Sequence, residues 1–136
     1  MLNIFNIERQ ANKRVRSFLI HKATEENIES ANARFVINII IGKASIHLYD
    51  KSKYVKTINF RSVAEFFGKE YDENSVTAVH DYLVKLSKEQ RVELSKLNVV
   101  ICQTKGELGA HLYDEAKYKK RISTLELLTH FNTDKK

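Results

Sequence analysis

The chain has 136 residues, a net charge of +6 and 43% hydrophobic residues, enough for one domain with a real core. No apolar run approaches the ~20 residues of a membrane-spanning helix, and the opening MLNIFNIERQ lacks the marks of a secretory signal. A single cysteine, Cys102, excludes an internal disulfide framework and a thiolate metal cluster; no cofactor is expected, and a cytoplasmic location is the simplest inference.

The first amphipathic segment, residues 7–21, puts Ile7, Ala11, Val15, Phe18 and Leu19 on one stripe and predicts a helix. Its polar side is basic, with Arg9, Lys13 and Arg16 at i, i+4 and i+7. A second, shorter helix is expected over 24–32, opened by Thr24. The β-branched run 34–41 predicts a strand, Gly42 a turn, and 44–49 and 54–60 two further strands. SVAEFFGK then closes the unit as a short helix, with Ser62 and Glu65 in the spacing of a capping box.

The same series returns. Val76, Val79, Leu83 and Leu86 mark a helix over 73–86. SKEQRVELSKLN predicts a short helix capped by Ser87 and Gln90. Strands follow over 98–104, 108–113 and 118–123, and TLELLTHF ends the series behind Ser123 and Glu126.

The return is also written in the letters. HLYDKSKY at 47–54 is followed by HLYDEAKY at 111–118. An ungapped shift of 64 residues pairs 24–68 with 88–132, and 14 of those 45 pairs are identical, against roughly three expected from typical residue usage. Two copies are too few for a solenoid. They predict an α+β fold of two α-α-β-β-β-α units, related by a pseudo-two-fold like a fused homodimer. The two antiparallel meanders join into one six-stranded sheet or face each other, with helices packed on one side. The expected organisation is a single domain over 1–136, built from repeats of about 6–68 and 70–132, with 133–136 a short polar tail.

The duplicated hairpin carries the candidate site. With Lys51 and Ser52 as the loop, Asp50 faces Lys53, Tyr49 faces Tyr54, Leu48 faces Val55 and His47 faces Lys56. His47, Tyr49, Tyr54 and Lys56 then share one face, and so do His111, Tyr113, Tyr118 and Lys120. A tyrosine pair and a turn ion pair stabilise a hairpin by themselves. If the face is exposed, its rings suit stacking on bases and its lysines suit phosphates. A third option sets His47 and His111 at the pseudo-axis as an acid and base pair. No nucleophile or metal-ligand spacing supports catalysis.

Other features are weaker. The segment 70–87 carries Glu70, Asp72, Glu73 and Asp81 against Lys85, so the duplicated first helices have diverged in charge. KYKKR at 117–121 is a second basic cluster, with Lys119 and Arg121 expected on the face opposite Tyr118; such a strand also guards a sheet edge against aggregation. Lys135 and Lys136 add to the charge. Cys102 falls inside a strand and reads as a buried structural thiol. GKAS at 42–45 lacks the earlier glycine and the following helix of a phosphate loop. A winged helix-turn-helix fits only in outline, since 24–32 offers few base-reading side chains.

Two functions from different classes follow. One is a non-enzymatic nucleic-acid-binding protein using Arg9, Lys13, Arg16, Arg121 and the two hairpin faces. The other is a protein–protein adaptor or inhibitor, docking an acidic partner surface or a second copy of itself. Exposure of Tyr49, Tyr54, Tyr113 and Tyr118 separates them.

Overall fold

The computed structural model describes residues 4–131; the polar tail with Lys135 and Lys136 lies outside the described residues. The fold is α+β. Helix α1 (Ile4–Glu25) leads into the meander β1 (Ala33–Ile40), β2 (Lys43–Asp50) and β3 (Lys53–Ile58), closed by α2 (Phe60–Phe66). Helix α3 (Asn74–Gln90) leads into β4 (Leu97–Thr104), β5 (Glu107–Asp114) and β6 (Lys117–Ile122), closed by α4 (Thr124–Phe131). All strand pairs are antiparallel, in the order β3-β2-β1-β4-β5-β6. The two meanders therefore join in one sheet, and the face-to-face alternative does not occur.

Alternation along the strands decides which face is buried. Phe35 and Ile37, Ile46 and Leu48, Val99 and Ile101, and Ala110 and Leu112 share a single core cluster with Val15, Phe18 and Leu19 of α1, Val79 and Leu83 of α3, and Leu127 of α4. The helices pack on this face. Helix α1 lies on β1 and β5, and α3 lies on β1 and β2, so each covers strands of the other meander. Helix α4 packs against α1, α2 and α3.

The short second helices are not formed as expected. Residues 24–32 contain the end of α1 and a 3₁₀ turn at Ser30–Asn32; residues 87–97 contain the end of α3 and a 3₁₀ turn at Leu94–Lys96. Ser87 is not an N-cap. It sits inside α3, where its hydroxyl donates to the Val92 carbonyl, while Arg91 ends the helix in the left-handed region (φ 56°). Burial of Ile28 and Val92 anchors the two returns. With only a 3₁₀ turn between the first helix and the strands in each half, the helix-turn-helix outline falls too.

The two closing helices differ from each other. Ser123 caps α4 as expected, accepting from the Glu126 amide at 3.1 Å. In α2 the cap is Asn59, whose side chain accepts from the Ser62 amide at 2.7 Å, and Ser62 lies one turn inside the helix. Asn59 and Ser123 stand 64 positions apart, the spacing that also separates the starts of β1 and β4, of β2 and β5, and of β3 and β6.

The turn between β1 and β2 has only two residues, Ile41 and Gly42, with φ of 50° and 76°. Positive φ at both is the geometry whose twist matches a hairpin. Glycine adopts it freely, whereas a β-branched side chain is strained there. Ile41 is 96% exposed, so packing contributes nothing in return. Ile41→Asn is expected to stabilise the fold by about 1 kcal/mol, read as a rise in the urea midpoint at unchanged slope. A fall would show that the exposed side chain supports the fold in another way.

Candidate nucleic-acid interface

The open face of the sheet is built by the alternate strand positions. Its middle row crosses all six strands as Thr57, His47, Val36, Val100, His111 and Arg121. One step toward Asp50 from His47, Tyr54 pairs with Tyr49 and Tyr49 with Arg34. The corresponding step on the other half runs Tyr118, Tyr113 and Asn98. Antiparallel pairing of β1 with β4 sends these steps in opposite directions, so the tyrosine pairs occupy opposite corners. Between them, Asn38 donates to Asn98 at 3.0 Å.

Each hairpin makes an aromatic group. Tyr49 meets Tyr54 edge-on at 5.9 Å, and Tyr113 meets Tyr118 at 5.8 Å. His47 lies 6.0 Å from Tyr54, and His111 lies 5.9 Å from Tyr118. The outer rings, Tyr54 and Tyr118, are 51% and 53% exposed. Tyr49 and Tyr113 are half-buried behind them.

The expected lysines are not on this face. The register shifts between Leu48 and Tyr49, and again between Leu112 and Tyr113. Such a bulge inserts one residue, here Val55 and Lys119, and reverses the faces beyond it. Lys56 therefore stands opposite Leu48, on the helix side, where its ammonium meets Glu26 at 3.4 Å. Lys120 stands opposite Leu112 in the same way. Arg121, expected on the far face from Tyr118, instead stands opposite His111 and joins the open face. The shift thus exchanges Lys56 for Thr57 in one half and Lys120 for Arg121 in the other. Thr57 Oγ1 lies 2.7 Å from the Tyr54 hydroxyl and 3.2 Å from His47 Nδ1.

The histidines do not form an acid and base pair. They are separated by three strand spacings, about 14 Å at ~4.8 Å each. Burial lowers the pKa of both, and the nearby Arg121 lowers that of His111 further. Burial thus favours the neutral form of both rings, and His47 is itself buried behind Tyr54 and Thr57. Cys102 is partly buried on the open face, opposite Gly109, rather than fully buried.

Gly109 is a close-approach glycine. A Cβ there would meet His111 Nε2 at 3.0 Å and Arg121 Cζ at 3.3 Å. Its absence lets the guanidinium lie along the strand and donate to the Leu108 carbonyl at 3.2 Å. The same arginine lines a groove of about 460 Å³ between α1 and the β4–β5 turn, together with Arg9, Lys13 and Arg16. The structure thus brings the basic stripe of α1 and one residue of the KYKKR cluster to one place. The rest of that cluster, Lys117, Lys119 and Lys120, is exposed along β6, an edge strand. Arg34, beside Tyr49, was not expected on this face; its alternation with Val36 was the available signal.

An apolar void of about 30 Å³ lies among Phe18, Ile37, Ile101 and Leu127, about the volume share of one water and far below a ligand pocket. Among the described residues there is no cluster of metal-ligating side chains and no helix long and apolar enough to cross a membrane. No family model matches the chain, and neither the curated proteins nor the solved structures yield a match.

Proposed function

We propose that the protein binds single-stranded nucleic acid on the open face of its sheet and catalyses no reaction on it. The observation that carries this is the pair of exposed tyrosines, Tyr54 and Tyr118, on a sheet face that no described helix covers. An exposed ring accepts any base by stacking, and a sheet holds its rings at fixed spacing. Arg34 and Arg121 stand beside these aromatic groups as phosphate or base partners. A duplex would not expose its bases to such a face, so single strands are the expected substrate.

The two halves are proposed to descend from one duplicated α-β-β-β-α unit, arranged about a pseudo-two-fold through the Val36–Val100 pair. The equal spacing of strands, turns and caps supports this. Duplication would explain two similar stacking corners on one face.

Docking of a protein partner is the second reading, favoured by Ile40 and Ile41, 46% and 96% exposed at the β1–β2 tip. One titration separates the two. Fluorescence anisotropy with labelled single-stranded and duplex DNA and RNA is expected to give micromolar or tighter binding to single strands, weakening steeply with salt. A folded protein that binds none of them at low salt would leave partner docking as the function to pursue.

A further inference from the structure

The groove that holds Arg9, Lys13, Arg16 and Arg121 has a counterpart. A second groove, of about 920 Å³, lies between α3 and the β1–β2 turn. Positions 64 residues apart line the two. Gly42 answers Gly106, Ala44 answers Leu108, and Val76 answers Asn12. At the charged positions the correspondence breaks. Arg9 is answered by Glu73, Lys13 by Thr77, Arg16 by His80 and Arg121 by Thr57. One groove places four cations at these positions; the other places one acid and three groups without a fixed charge, and its own cations are Lys43, which answers Glu107, and Arg61.

The cations are arranged to receive an anion. Arg16 Nε donates to Gln103 at 2.7 Å, which fixes the guanidinium while leaving its two terminal nitrogens. Arg121 is fixed on the Leu108 carbonyl. Two guanidinium groups held in place lose less freedom when a phosphate arrives, and each offers a planar fork of donors. Arg9 and Lys13 are exposed and have no ion-pair partner among the described residues. Of the two acids in the groove, Glu8 is already engaged by the start of α4. Glu107 is exposed at the turn.

We propose that the groove between α1 and the β4–β5 turn is a phosphate-binding site and that its counterpart between α3 and the β1–β2 turn is not. Under the nucleic-acid reading above, on which the choice of ligand rests, the phosphates are those of a single strand whose bases stack on the neighbouring His111 and Tyr118. Arg121 is shared by the groove and that corner, so backbone and base contacts meet there. The strand is then held at one half of a face that has two similar corners.

Two measurements test this. In oligonucleotide titrations, Arg9→Gln/Lys13→Gln is expected to weaken binding roughly tenfold and flatten the salt dependence by about 1.4 in log–log slope, two phosphate contacts at ~0.7 each. Lys43→Gln/Arg61→Gln removes the same charge from the counterpart groove and is expected to change affinity less than twofold. Equal losses from both pairs, or no loss from the first, would overturn the site while leaving nucleic-acid binding intact. Independently, inorganic pyrophosphate titrated into the ¹⁵N-labelled wild-type protein is expected to shift amides of 9–16, 106–108 and 121, and not those of 73–80. Shifts there without oligonucleotide binding would support the phosphate site and overturn the nucleic-acid reading. Shifts spread over both grooves, or none, would overturn the site.

Discussion

A protein carrying Tyr54→Ala and Tyr118→Ala is expected to remain folded and to lose about a hundredfold in affinity for single-stranded nucleic acid, since each stacked base is worth about 1–3 kcal/mol. Both rings are half exposed, so little core is lost with them. Folding loses the edge contact of each ring with Tyr49 or Tyr113, about 0.2–1 kcal/mol per cross-strand pair, together with the ring contacts to His47 and His111 and the Tyr54 bond to Thr57. Tyr54→Phe/Tyr118→Phe keeps the rings and removes only the hydroxyls, one of which meets Thr57. That variant is expected to bind within threefold of the wild type, an approximate bound set by stacking being a property of the ring face. If the alanine pair bound as well as the wild type, the open face would not be the binding surface.

Glu8→Ala is expected to lower folding stability by about 2 kcal/mol, the scale of a lost helix cap with charge-assisted hydrogen bonds. The Glu8 carboxylate accepts from the Ser123 hydroxyl at 2.7 Å and from the amides of Thr124 and Leu125 at 2.8 and 3.3 Å. It thereby satisfies amides that α4 cannot satisfy itself, at the end of the helix dipole that favours negative charge. Its removal leaves the Thr124 and Leu125 amides without this acceptor, with Ser123 still capping Glu126. The measurement is urea unfolding by circular dichroism. Glu8→Gln, which keeps one acceptor oxygen without the charge, is expected to fall between. A loss below ~0.5 kcal/mol for the alanine variant, the low end for a cap, would mean that Ser123 and solvent suffice.

The parts of the fold that were legible in the sequence are those where one local rule acts alone. The strands were marked by β-branched runs such as FVINIII, and the β1–β2 and β4–β5 turns by Gly42 and Gly106. The joining of the two meanders was one of two arrangements left open, and the pairing of β1 with β4 that sets the sheet order was not among the expectations. Where two rules compete, the sequence misleads. Ser87 and Gln90 have capping spacing, but the apolar stripe of Val79, Leu83 and Leu86 carries α3 straight through them. Ser62 and Glu65 have it too, yet Asn59, at the position matching Ser123, takes the cap.

The candidate site was half legible for a similar reason. Tyr49 opposite Tyr54 and Asp50 opposite Lys53 follow from a two-residue loop and are observed. Beyond them a single inserted residue reverses every side chain, and nothing in KYVKTI or KYKKRI announces it. Lys56 and Lys120 were placed on the wrong face on that account, and Arg121 was lost from the right one. The gathering of Arg9, Lys13 and Arg16 with Arg121 depends on α1 lying over β5, a choice of partner that periodicity within α1 does not specify.

The way α1 and α3 cover each other's strands bears on how the chain is made. Synthesis is vectorial, and β1, whose inner neighbour in the sheet is β4, emerges long before it. At roughly 5–20 residues per second, the apolar strand ARFVINII waits several seconds with one edge unpaired, and α1 waits as long for β5. Contacts such as Glu8 with Ser123, 115 residues apart, close only after both meanders have emerged. Contacts so distant in sequence fold slowly, and an unpaired apolar edge is the surface on which nascent chains aggregate. Yield of soluble protein should therefore depend on translation speed and chaperone supply more than the modest size of the chain suggests.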